Sequence, residues 1–133
     1  MRPPALTLLL LLLTFRSEVS SAFPTPTPPN GLNRAGVRAY YKGQADARRD
    51  IRHHHIAIAS SVGPGYPSPA FETLLLHRYK IYIIIVWTDE MTDEDYGYRT
   101  GYNDVSIPEI ERRYGKGVLD RAHAESEKKA GAR

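Results

Sequence analysis

Three consecutive histidines, His53-His54-His55, are the side chains of this sequence most suited to binding a metal ion. On an extended backbone alternate side chains point to the same side, so His53 and His55 would offer two imidazoles to zinc, copper or nickel. A metal site needs a third ligand, and no local spacing such as His-Glu-x-x-His supplies one. The simpler interpretation is that these residues end a helix, where an imidazole is favourable near the negative end of the helix dipole. We therefore expect no structural metal and no cofactor.

A second candidate group is acidic and follows a strongly apolar segment; its members are Asp89, Glu90, Asp93, Glu94 and Asp95. Carboxylate oxygens are ligands for calcium and magnesium. An EF-hand loop that begins at Asp89 or Asp93 fails, because neither register gives glycine at the sixth position and glutamate at the twelfth. Acidic residues in the first turn of a helix are also favoured by the helix dipole, and this is the interpretation that we adopt.

Two segments of the sequence are typical of strands. Residues 81–87 are β-branched or aromatic at every position, which predicts a strand that is covered on both faces. A shorter apolar run at residues 56–59 predicts a second strand. Between them, Ser68 as N-cap and Pro69 as first helical residue predict a helix. A right-handed parallel β-α-β unit is the economical arrangement of these three elements.

The carboxyl ends of the two predicted strands are the best-argued location for a ligand. They bring Ser60 and Ser61 beside Thr88 and Asp89, at the edge where open α/β sheets usually bind ligands. Neither a phosphate-binding loop nor a Gly-x-Ser-x-Gly nucleophile motif is present. The sequence therefore predicts where a ligand would bind but not which reaction would occur there. The alternative is that this segment is an ordinary strand-to-helix turn.

Aromatic side chains are frequent, with nine tyrosines and one tryptophan in 133 residues. Trp87, Tyr98 and Tyr102, with Tyr96 nearby, would form an aromatic surface for a sugar, a peptide or a protein partner. Because the chain has only three phenylalanines, tyrosine must also supply much of the aromatic packing of the core. Both uses of these rings stay open at the level of the sequence.

Helical periodicity predicts one amphipathic helix over residues 33–52 and another from Thr92 to about residue 103. The spacing of Ser106 and Glu109 is that of a capping box, which predicts that a fourth helix starts at Ile107. We therefore predict a small, helix-rich α/β domain over residues 32–124, in the order α-β-α-β-α-α, with a two-stranded parallel core. A polar and disordered tail is expected over residues 125–133.

The first 22 residues resemble an export signal. The apolar run from Leu6 to Phe15 is about half of the ~20 residues that span a bilayer, and Ala22 ends a stretch of small residues suited to signal peptidase. Cleavage there would leave a proline-rich tether at residues 23–31. We expect an exported protein, periplasmic or extracellular, without a stable membrane span after cleavage. An envelope protein that keeps its N-terminus as an anchor is the alternative.

The composition limits how the core can be stabilised and which partners are expected, but it does not indicate an activity. The chain has no cysteine, so its core must be held by burial without disulfides. Loss of the leader removes two arginines and one glutamate, and the formal charge falls from +3 to +2. Basic residues are interleaved with acids along the chain; we interpret Arg48, Arg49 and Arg52 as a solvated helix face and expect no nucleic-acid partner.

These observations favour an exported, non-enzymatic domain that binds a protein partner or assembles with itself. The apolar strand at residues 81–87 has no lysine or proline within it to block pairing at its edge, so a helix or a second copy must cover that edge. The alternative function is a small secreted hydrolase or metal-dependent enzyme that uses His53, His55 and the region of Asp89. Convergence of those groups in one pocket would distinguish the enzyme from the binding domain.

Overall fold

The computed structural model describes residues 26–63, 67–87 and 90–131. Its elements are, in chain order, α1 (Arg34–Arg52), β1 (Ile56–Ser61), α2 (Pro69–Leu74) with a π-helical turn (Leu75–Tyr79), β2 (Ile81–Trp87), α3 (Asp93–Tyr114) and α4 (Val118–Gly131). The molecule is thus the small α/β domain that the sequence predicts, in the predicted order. The predicted signal peptide and the first part of the tether lie outside the described residues. Within the described ranges, no helix has both the length and the apolar character needed to cross a bilayer.

The helices begin where side chains satisfy the first free backbone N–H groups. Asn33 Oδ1 accepts from the N–H of Gly36 at 2.9 Å, and Ser68 Oγ accepts from the N–H of Phe71 at 3.2 Å. Thr92 and Asp95 form a reciprocal capping box at the start of α3. Each cap replaces a hydrogen bond that the first helical turn cannot make internally. Ser68 and Thr92 are the N-caps predicted from sequence.

The two strands are parallel and pair from Ile56 opposite Ile81 to Ser60 opposite Ile85. One face of the sheet packs on α2, α4 and the end of α3 through Ile58, and the other packs on α1 and α3 through Ala57 and Ala59. The sheet therefore lies between two helical layers. β1 is buried along Ile56–Ser60, as a strand enclosed on both sides should be.

β2 departs from the prediction that it is covered on both faces. Tyr82 is 43% exposed and Ile85 is 39% exposed, and these two residues lie on opposite faces of the strand. The departure is partial, since Ile83 packs on one core and Ile84 and Val86 pack on the other. Strand composition reports apolar character but not position in the sheet. In a sheet of two strands, β2 lies at an edge and the helices do not extend fully over it.

α1 and α3 run side by side with unusually close backbones. A Cβ at Gly97 would collide with the carbonyl oxygen of Gly36, and a Cβ at Gly101 would collide with that of Tyr40. Only glycine permits this approach, because the atoms in the way belong to the partner helix backbone and cannot rotate aside. Gly97 and Gly101 thus allow the backbone of α3 to lie directly against that of α1.

α3 is continuous through Pro108, whereas the sequence predicts a new helix at Ile107. The capping box is not formed: Ser106 is buried, its Oγ makes no hydrogen bond within the described residues, and Glu109 accepts from Arg112 and Arg113 instead. Proline removes one helical hydrogen bond and crowds the preceding turn. Burial of α3 on both sides of the proline keeps one helix where local signals favour two.

α4 also differs from expectation, since it continues through the residues predicted to form a disordered tail. Glu125 pairs with Arg78 at 2.6 Å and with Lys129 at 2.8 Å, and Ser126 is buried. The sequence of residues 125–133 predicts a disordered tail because this segment is polar and has no apolar stripe. Here a small buried serine and an ion pair to the turn after α2 hold the segment in place.

Candidate functional site

The three histidines lie at the C-terminal end of α1. His53 is the C-cap of α1, His54 has a left-handed backbone with φ of 59°, and His55 stacks on the ring of Tyr82 with centroids 4.5 Å apart. Among the described residues, no three histidine or carboxylate side chains lie close enough together to hold a metal ion. His55 touches another candidate region, because Tyr82 belongs to the exposed strand β2.

The predicted site at the strand ends is described only in part. Ser60 is buried and donates to the carbonyl of Ser61 at 3.3 Å, while Ser61 Oγ accepts from Arg99 Nη1 at 3.3 Å. Thr88 and Asp89 lie outside the described residues. Within the described part of the chain, no histidine or carboxylate is hydrogen-bonded to either serine, so neither is arranged as a nucleophile with an adjacent base.

The predicted aromatic residues lie largely between α1 and α3. Tyr98 donates its hydroxyl to Asp46 at 3.0 Å, and Tyr102, which is buried, donates to Asp50 at 2.9 Å. Trp87 contributes its backbone to β2, and its side chain lies outside the described residues. The two tyrosines therefore join helices together. A sequence signal existed, since both the tyrosines and the aspartates are spaced by four residues and so share one helix face.

Burial and the neighbouring carboxylates shift the pKa values of these two tyrosines. Burial, together with the bond to Asp46, raises the pKa of Tyr98 to about 12, and the same causes raise the pKa of Tyr102 further. Burial by itself would raise the pKa of Asp46, but hydrogen bonds from Lys42 and Tyr98 outweigh it and hold that pKa below its ordinary value. The hydroxyls thus stay protonated donors at neutral pH, which is a structural role rather than acid–base chemistry.

A surface groove of about 970 Å³ lies between α2 and α4. Its lining includes Leu74, Ala130 and the basic residues Arg78 and Lys129. Both basic groups pair with the same residue, Glu125, whose single carboxylate balances one of their two positive charges. None of the site residues predicted from sequence lines this groove.

One side chain occupies the outward backbone groups at the middle of the outer edge of β1. Asn103 on α3 donates from Nδ2 to the carbonyl of Ala59 and accepts at Oδ1 from its N–H, both at 2.8 Å. The amide thereby supplies the donor and acceptor that a third strand would offer. Arg99, one turn earlier on α3, reaches Ser61 on the same strand. Sequence reasoning missed this pair, although a spacing of four placed both side chains on one face of the helix.

The outer edge of β2 has no comparable cover in the part of the chain that the structure describes. The sheet contains only β1 and β2 among the described residues, so β2 is paired along one side. In a parallel pair every second residue turns its N–H and C=O away from the partner strand. These outward groups lie beside Tyr82 and Ile85, the two exposed apolar side chains of the strand. A backbone edge with exposed apolar side chains is the form of surface that accepts an added strand.

Opposite charges flank this edge. Lys80 precedes β2 and Glu90 follows it, and both are exposed. Neither takes part in an ion pair within the described residues, and the seven residues of β2 carry no charge. The edge is therefore an uncharged strand with a positive end and a negative end.

Comparisons with known proteins do not extend this description. No family model, no curated protein and no solved structure matches the chain. The candidate site accordingly rests on its own geometry, and the open edge of β2 is the feature of the described residues best formed to bind another polypeptide.

Proposed function

We propose that this protein is a self-assembling binding domain, and that the open edge of β2 pairs with the same edge of a second copy. The observation that carries the proposal is that, among the described residues, β2 is paired on one side only while Tyr82 and Ile85 remain exposed beside the free edge. Pairing would satisfy the outward N–H and C=O groups and remove apolar surface from water.

The charges that flank β2 support a second copy in antiparallel orientation. When two identical strands pair antiparallel, the positive end of each lies beside the negative end of the other. A register centred on Ile85 directs Lys80 of each copy toward Glu90 of the other. Parallel self-pairing would instead bring like charges together, which is unfavourable. The arrangement also closes on a two-fold axis, so it ends at a dimer.

The size of the sheet supports the same proposal. Sheets of two strands are small, and three or more strands are usually needed for a stable unit. Antiparallel pairing of two β2 edges would build a continuous four-stranded sheet with β1 at each outside edge. Those outside edges are already closed by Asn103, so further growth would be blocked.

Sedimentation equilibrium of the full chain tests the proposal with two matched variants. Ile85→Lys puts a charge on the free edge, and Leu76→Lys puts the same charge on the turn after α2 at nearly equal exposure, 38% against 39%. We expect the wild type and Leu76→Lys to dimerise and Ile85→Lys to be a folded monomer. Any association through residues 1–25 is common to all three chains and therefore cancels in the comparison.

Charge reversal tests the orientation. Lys80→Glu and Glu90→Lys should each weaken the dimer, and the double variant should regain most of the loss, since the pairs are then restored with opposite signs. A wild type that stays monomeric at high concentration would refute self-assembly. Equal loss of the dimer in Ile85→Lys and Leu76→Lys would place the interface elsewhere.

A further inference from the structure

The solvent face of α1 is almost entirely basic. Eight residues of this helix are exposed, and we refer to them together as the α1 face: Arg34, Arg38, Tyr41, Lys42, Ala45, Arg48, Arg49 and Arg52. Six of the eight are arginine or lysine and none is acidic. An ordinary solvated helix face carries charges of both signs, so this composition calls for a specific explanation.

Most of this charge is not compensated within the domain. Lys42 and Arg49 pair with Asp46, at 2.6 Å and 3.1 Å. The other four arginines of the α1 face form no ion pair within the described residues; Arg48 reaches only the neutral amide oxygen of Gln44, at 3.3 Å. Four guanidinium groups thus remain available to an external anion, and each can bind phosphate through two parallel hydrogen bonds.

The shape of the α1 face suits a flat anionic surface. A helix of 19 residues is roughly 28 Å long at a rise of 1.5 Å per residue. Arg34, Arg38, Arg48 and Arg52 are spaced so that all four lie along one side of it. Tyr41 stands near the middle of this line with half of its surface exposed, 51%. Amphipathic rings of this kind are favoured at the headgroup level of membranes.

The N-terminal segment enters the fold on the same helix. The carbonyl of Pro26 accepts a hydrogen bond from Nε2 of Gln44 at 3.2 Å, so Pro26 lies against α1. Only ten residues separate Phe15, the end of the apolar run, from Pro26. A bilayer that engages the leader during or after export would therefore lie within reach of the α1 face.

We propose that the α1 face binds the surface of a bilayer that contains anionic phospholipids. Each arginine near such a surface adds to the attraction, and the effects of several arginines accumulate. A nucleic acid is the less suitable partner: single strands are held largely by stacking on several aromatic rings, and Tyr41 is the only aromatic residue of the α1 face. This association would be peripheral and reversible, and it is independent of the pairing of β2.

Vesicle co-sedimentation of the full chain tests the proposal. Vesicles of phosphatidylcholine alone report any binding through the leader, and vesicles that also contain phosphatidylglycerol add the anionic surface. The gain on anionic vesicles is the quantity of interest. We expect this gain to fall at least about tenfold when Arg34, Arg38, Arg48 and Arg52 are all changed to glutamine, and to fall with added salt in the wild type.

Two further variants separate a specific surface from net charge. The control changes four basic residues elsewhere to glutamine, namely Arg112, Lys116, Arg121 and Lys128, all of them exposed. It removes the same charge and should keep most of the gain. Changing the four α1 arginines to lysine should also keep most of it, since the positive charge remains. Circular dichroism and thermal unfolding confirm that each variant is folded.

The outcomes are distinct. Equal losses in the α1 variant and the control would show that net charge, and not the α1 face, drives binding. No gain on anionic vesicles, or binding to a single-stranded oligonucleotide but not to anionic vesicles, would overturn the membrane proposal. Loss of the gain in the folded α1 glutamine variant alone, with recovery in the lysine variant, is the result that the proposal requires.

Discussion

The two outer edges of the sheet differ in whether their outward backbone groups have hydrogen-bond partners. At β1, the side-chain amide of Asn103 occupies the backbone groups of Ala59, and the strand is buried along Ile56–Ser60. At β2, no strand or side-chain amide takes that position within the described residues, and two apolar side chains remain exposed. An edge of a sheet is therefore not open or closed by its own sequence. It is closed when a neighbouring element delivers a donor and an acceptor to it.

The largest expected loss of stability follows from disturbing the contact between α1 and α3, which holds Asn103 against β1. Gly101→Val would drive a branched side chain into the carbonyl of Tyr40, which belongs to the backbone and cannot move aside. We expect a loss of about 3 kcal/mol or more in the free energy of unfolding. Urea denaturation measures it. Gly131→Val, at an open position near the end of α4, is the control and should change stability little. Similar losses in both variants would contradict the role given to the close contact.

A smaller effect is expected when the cover of β1 alone is removed. Asn103→Ala leaves the N–H and C=O of Ala59 without partners at a buried position. The expected loss is about 2 kcal/mol, because each unsatisfied buried group carries a desolvation cost. Chemical denaturation gives the value. Hydrogen exchange should show faster exchange at Ala59 while β2 is unchanged. A variant as stable as the wild type would mean that the side chain does not close the edge.

The smallest effect concerns the tyrosines that help to hold α3 against α1. Burial and the bond to Asp46 raise the pKa of Tyr98 from 10.0 to about 12, so its contribution to stability is fully present below pH 10.0 and is lost as the pH rises to about 12. Unfolding free energies measured across this window should fall. Tyr98→Phe should be less stable at neutral pH but should decline less steeply above pH 10.0. If the unfolding free energies of the two proteins fall equally steeply with pH, ionisation of Tyr98 does not cause the loss of stability.

Much of the fold could be predicted from local signals. Ser68 and Thr92 cap helices because their oxygens accept the free N–H groups that any helix start presents. The β-branched composition of residues 81–87 identified a strand for equally local reasons. Pro108 misled the prediction because a proline is also a local signal, whereas the burial that keeps α3 continuous comes from distant residues.

The candidate site was less predictable than the fold. Sequence reasoning named Tyr98 and Tyr102 as candidates for a ligand surface and left a packing role open, since it does not show which residues lie against them in space. The α1 face was divided in the sequence into two pairs of arginines, separated by apolar and paired residues. The sequence identified Arg48, Arg49 and Arg52 as a solvated helix face, but the structure was needed to show that Arg34 and Arg38 belong to the same exposed face.

The sequence by itself determined where the first three helices and both strands begin, that the core must hold without disulfides, and that the chain is α/β. These follow from backbone hydrogen bonding, side-chain branching and hydrophobic periodicity, which act over a few residues. Only the tertiary structure decided that Asn103 meets Ala59 and that β2 stays at an edge. Those outcomes depend on which element packs beside which, and residues 44 positions apart share no local signal that would bring them together.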